Sequence, residues 1–109
     1  MSPCTAAYIV FCTCPDRDSA DKLARLAVEQ RLAACVNIVP AITSIFVWQG
    51  ALEHADEVLL VAKTLAAAYS RLEQLWRSHH PYELAEIIAV PIAAGSAAYV
   101  QWISDAVTP

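Results

Sequence analysis

The chain has 109 residues, which suits one domain spanning residues 1–109 and burying roughly 60 to 70% of its unfolded surface. It is 58% apolar and only 17% charged, a composition that calls for apolar surface to be covered by other subunits as well as by a core. A net charge of −4, with seven Lys and Arg that form no basic stripe, excludes nucleic acid as an expected partner, and Lys63, Glu83 and Glu86 interrupt every run that approaches a membrane span.

The run Tyr8-Ile9-Val10-Phe11-Cys12-Thr13 is β-branched and aromatic and stops at Pro15, so it reads as a first strand with Tyr8, Val10, Cys12 and Cys14 on one face. The chain holds four cysteines, but Cys12 and Cys14, two apart in a strand, stand about 6.6 Å apart at their Cα atoms, where a bridge would strain the backbone. Free thiols suit a reducing compartment, and no Lys or Arg precedes the apolar stretch from Ala6 to Phe11 as a signal peptide would require. The expected address is the cytoplasm. Cys4 and Cys35 read as structural or inert.

Asp16 or Asp18 caps a helix to about Leu32, with Ala20, Leu23, Ala24, Ala27 and Val28 on its apolar stripe and Asp18–Lys22 and Asp21–Arg25 as i,i+4 pairs. Ala34 to Trp48 is a long strand interrupted by Pro40, which marks a sheet edge or a bulge. Gln49-Gly50-Ala51 links it to a third strand from Leu52 to Thr64, and a helix from about Leu65 to Ser78 follows. Ile87 to Val90 reads as a fourth strand covered on both faces, and Ser96 caps a last helix bearing Tyr99, Val100, Trp102, Ile103 and Val107. The order β-α-β-β-α-β with an extra C-terminal helix predicts an α+β, ferredoxin-like sandwich with an antiparallel sheet and a long hairpin between the second and third strands.

Chemistry concentrates at His79-His80-Pro81-Tyr82-Glu83-Leu84-Ala85-Glu86, where Pro81 stops the helix and leaves two imidazoles at an element end. With only two glycines, Gly50 and Gly95, the chain carries neither a P-loop nor a dinucleotide fingerprint. Cys12, His79 and Glu86 suit either a thiol nucleophile with its base and orienting acid, or a thiolate, imidazole and carboxylate ligand set for Cu(II) or Zn(II). No oxyanion-hole signal supports the first. Against both stands the plain reading of Cys12 as a small buried hydrophobe and of the histidines as residues facing the carbonyl end of a helix. Glu86, a carboxylate opening an apolar strand, requires a partner.

The stretches Phe11-Cys12-Thr13 with Pro15-Asp16, Leu32 to Asn37, Trp48-Gln49-Gly50, Val58 to Thr64 ending in Lys63-Thr64, and His80-Pro81-Tyr82-Glu83 with Glu86-Ile87 resemble the CutA family of divalent-cation tolerance proteins, from about Val10 to Ile103. The resemblance implies a tight homotrimer joined through the long hairpins, a role in metal tolerance without catalytic turnover, and copper, or zinc or another divalent cation, held by the residues matching Cys12, His79 and Glu86. Ala85, where the family usually has proline, and Cys14, not a usual family residue, depart from the pattern. A different class, a PII-like signalling trimer binding a small anionic metabolite at subunit clefts with Lys63 as counter-charge, is the alternative.

Overall fold

The computed structural model describes residues 6–109. Cys4 lies outside them. The elements are β1 (Ala7–Cys14), α1 (Arg17–Glu29), β2 (Cys35–Trp48), β3 (Ala51–Leu65), a 3-10 turn (Ala66–Ala68), α2 (Tyr69–His79), β4 (Ile87–Pro91) and α3 (Ala97–Ala106). The strands form one sheet in the order β2-β3-β1-β4, every neighbouring pair antiparallel, which is the expected ferredoxin-like arrangement.

Two-residue periodicity decides what each strand buries. Val10, Cys12 and Cys14 of β1 lie on one face beside Val58, Leu60 and Ala62 of β3, and α1 and α2 cover that face with Ala20, Leu23, Ala27, Leu72 and Trp76. Trp76 is fully buried and its indole Nε1–H donates to the Leu23 carbonyl at 2.9 Å, so the largest core side chain also ties the two helices together. Burying each of the larger core side chains contributes about 1.5–3 kcal/mol.

The helix ends follow their local chemistry. Asp16 caps α1 by accepting from the Ser19 amide at 2.8 Å, and the Asp21–Arg25 pair forms at 2.7 Å, whereas Asp18 and Lys22 make no ion pair among the described residues. The second helix does not begin at Leu65: Ala66–Ala68 wind as a 3-10 turn and α2 proper starts at Tyr69. Ser96 caps α3 by accepting from the Tyr99 amide; Ile103 and Val107 are buried with Ala7, Leu65 and Ala68, while Tyr99 and Trp102 face outward, ring centroids 5.4 Å apart.

Pro40 produces both of the features its position predicts. β2 is the edge strand, and between Val39, paired with Leu59, and Ile42, paired with Glu57, the register shifts by one residue, with Ala41 held at φ +62°. At the hairpin tip Gln49 and Gly50 have φ of +51° and +81°, the two positive values that a two-residue link matched to strand twist requires.

The fourth strand departs from expectation. Ile87 and Ala89 pack on the helix-covered core, but Ile88 and Val90 are exposed, because among the described residues the other face of the sheet is covered only at its Ala7–Leu65 end, by α3. β4 is therefore covered on one face only. Val39 belongs to the same bare face, and Ile45, Val47, Trp48 and Leu52 project from the hairpin.

Candidate metal centre

Antiparallel pairing of β1 with β4, in the register Cys12–Ile87, brings the end of the first strand beside the turn that opens the last. Pro81 forces His80 into extended geometry at φ −75°, ψ 138°, so α2 ends at His79 and the two histidines part company. His79 stays on the exposed side of the last turn, its Nδ1–H donating to the Leu75 carbonyl at 3.0 Å and its Nε2 lone pair left open. His80 turns inward. Its Nδ1 accepts from the Tyr82 amide at 3.0 Å and its Nε2–H donates to the Thr13 carbonyl at 2.8 Å. An amide can only donate and a carbonyl only accept, so these two bonds fix the tautomer.

Cys12, Cys14 and His80 present ligand atoms within 4.8 Å of one another, and both thiols are fully buried. The Cys12 Sγ–H donates to the Thr13 carbonyl at 3.8 Å; interaction with Cys14, then burial, then the charges of Cys14, Glu86 and Glu57 push the Cys12 thiol far above the usual thiol range. The same interaction draws Cys14 below its usual value, against burial and the charges of Asp16 and Glu57.

Of the three residues expected as ligands, Cys12 lies inside this cluster. Glu86, exposed at the mouth of β4, is close enough for its charge to raise the Cys12 thiol, while His79 does not join Cys12 in a three-ligand group among the described residues. Cys14 and His80 take part instead. The sequence signal for Cys14 was its place on the Cys12 face; for His80 it was Pro81, which turns the residue before it out of the helix.

Glu86 also lines an open cleft of about 940 Å³ between the hairpin and the turn, together with Phe46, Trp48, Tyr82 and Glu57. Glu57 is buried and accepts from the Tyr82 hydroxyl at 3.0 Å, an arrangement that with burial raises the phenol to about 12. Lys63 does not reach Glu57: its ammonium donates to the Asn37 side-chain oxygen.

These features define a small ferredoxin-like α+β protein with a thiol and imidazole cluster at the β1–β4 mouth. The family described as CutA1 divalent ion tolerance protein matches residues 8–106. Human Protein CutA is 48% identical over 93 residues, 85% of this chain and 52% of its own length. The chain spans about half to two thirds of the length of the vertebrate relatives it matches. The divalent-cation tolerance protein CutA of Thermus thermophilus is 43% identical over 97 residues, 89% of this chain and 94% of that one. The solved Thermus structure superposes with a TM-score of 0.92 at 41% identity, covering 94% of this chain and 99% of that one. A structure described as the periplasmic divalent cation tolerance protein CutA from Archaeoglobus fulgidus gives a TM-score of 0.90 at 32% identity, with 94% and 99% covered. The chain belongs to the CutA1 divalent ion tolerance protein family.

Proposed function

We propose that this chain works as a cytoplasmic homotrimer that binds copper or a similar divalent cation, without catalytic turnover, through Cys12, His79 and Glu86. The reading rests on the family to which the chain belongs and on the nearness of Glu86 to the buried Cys12 thiol at the strand mouth, with His79 at the end of α2 outside that cluster. The donor set suits the ion. His79 gives its Nδ1–H to a backbone carbonyl, the arrangement that leaves Nε2 basic and oriented for a metal. Glu86 is exposed in the irregular segment between His79 and Ile87, and a ligand set of Cys12, His79 and Glu86 requires that segment to rearrange. The ion would supply charge neutralisation among these groups.

Three free cysteines among the described residues favour a reducing compartment, although the Archaeoglobus relative is described as periplasmic. Trimer formation is supported by the bare apolar sheet face and by the hairpin, whose Val47 and Leu52 are 68% and 76% exposed. The PII-like alternative loses its main support, because the ammonium of Lys63 is engaged by Asn37.

Isothermal titration of the purified trimer with Cu(II) tests the metal reading. Cys12→Ser, His79→Ala and Glu86→Gln should each weaken binding by at least about tenfold with the trimer intact. Unchanged curves for Cys12→Ser and His79→Ala would overturn it.

A further inference from the structure

We propose that Cys12 and Cys14 form a second, two-coordinate site for a soft monovalent cation of the copper(I) class, with His80 as its latch and not as a ligand. The inference goes beyond divalent binding by Cys12, His79 and Glu86. It needs neither of the latter two residues.

The two sulfurs lie on the same face of β1, fully buried and within 4.8 Å of each other. Two metal–sulfur bonds of about 2.3 Å from one central ion span about 4.6 Å, so the pair needs little movement to close on a cation. The third member of the cluster is withheld. To ligate through Nε2, the His80 imidazole would have to carry its proton on Nδ1, yet Nδ1 accepts from the Tyr82 amide and Nε2–H is committed to the Thr13 carbonyl.

A fully buried pair of sulfurs, with His80 withheld and no other donor in the cluster among the described residues, selects against ions that need four ligands, such as Zn(II), and against hard ions. What remains is an ion content with two thiolates, and copper(I) has that preference. Binding displaces the two thiol protons to solvent as the two sulfur–metal bonds form, with no change of oxidation state. The complex carries one net negative charge, against which the carboxylates of Asp16, Glu57 and Glu86 act.

His80 closes the site by joining the carbonyl that lies between the two cysteines to the turn after α2. Entry of the ion requires that joint to open. A latch and a ligand then differ in kinetics: loss of a latch speeds entry and spares affinity, whereas loss of a ligand weakens affinity.

The test is an anaerobic titration of the reduced full chain with Cu(I), competed against bicinchoninate, beside stopped-flow uptake and X-ray absorption of the loaded wild type. Cys14→Ser should lower Cu(I) affinity by at least about a hundredfold, and Cys12→Ser likewise. His79→Ala and Glu86→Gln should leave it unchanged, and Cys14→Ser should spare Cu(II) binding, so the two metal readings fail separately. His80→Ala should take up Cu(I) faster with affinity within about threefold of wild type. Wild-type X-ray absorption, which depends on no variant folding, should show two sulfur scatterers and no imidazole. Retained Cu(I) affinity in Cys14→Ser, a tenfold or larger loss in His80→Ala, or an imidazole in the metal shell would each overturn the proposal.

Discussion

The Nε2–H of His80 donates to the carbonyl oxygen of Thr13 at 2.8 Å, across 67 residues of sequence, and so fastens the end of α2 to the end of β1 between the two cysteines. The ring is half-buried and its other nitrogen holds the Tyr82 amide, so one side chain sets the geometry of the whole turn. His80→Ala should cost about 1–3 kcal/mol of unfolding free energy, the range for losing such bonds and leaving a carbonyl without its partner. His79→Ala, at an exposed ring with one local bond, should cost well under half of that. Urea denaturation of the two variants side by side measures the contrast.

The strand order, the edge position of β2 and the cap of α1 were legible because each rests on a local rule. Pro40 cannot donate to a ladder, Asp16 has a side chain suited to an exposed amide, and Pro81 disfavours helical geometry in the residue before it. Which imidazole meets Cys12 was not legible in that way. Adjacent histidines point in different directions only once the helix end is placed to the residue, and the resemblance pointed to His79. What covers the outer face of β4 was not legible for another reason: Ile87 to Val90 is a continuous apolar run, and no pattern within it says whether the second face meets a helix of the same chain or stays uncovered within it. The buried carboxylate of Glu57 was placed on the correct strand, but its partner, Tyr82, came from a turn 25 residues away.

Ala41 sits at φ +62° in the bulge beside Pro40, in the left-handed region that an alanine occupies at a cost of about 1–2 kcal/mol. Its side chain is exposed and has no packing to lose. Ala41→Gly should therefore stabilise the chain by up to about 1 kcal/mol, the strain relief being partly offset by the freer unfolded chain. A lower unfolding temperature for Ala41→Gly than for wild type would contradict this account of the bulge.

Val47 lies near the hairpin tip, paired with Leu52, and both are largely exposed. If neighbouring copies cover this hairpin, Val47→Asp places an unpaired carboxylate in a buried seam at a cost of several kcal/mol. Light scattering at micromolar concentration should then give wild type a mass of about three times 11.8 kDa and the variant a mass near one chain. A single-chain mass for wild type would remove the trimer from the proposed function.

The Tyr82 hydroxyl donates to Glu57 at 3.0 Å, and burial followed by that bond raises the phenol from its usual 10 to about 12. A pKa raised in this way stabilises the fold while the phenol is neutral in both states. The contribution is fully present below the unfolded value near pH 10 and is lost as pH rises through the folded value near 12, because the unfolded chain releases its proton first. Tyr69, whose hydroxyl donates to Glu73, is likewise raised to about 12, by burial first and by that bond second, so wild type should lose stability through this window from two sites. Tyr82→Phe leaves Glu57 without its donor and should be less stable at neutral pH by about 1–3 kcal/mol, the range for bonds to charged groups. Between about pH 10 and about pH 12 the gap should narrow, since the variant has one fewer phenol to ionise. Urea midpoints of both proteins measured across that range provide the check, and a gap that stays constant would mean that Tyr82 ionises in the folded chain as readily as in the unfolded one.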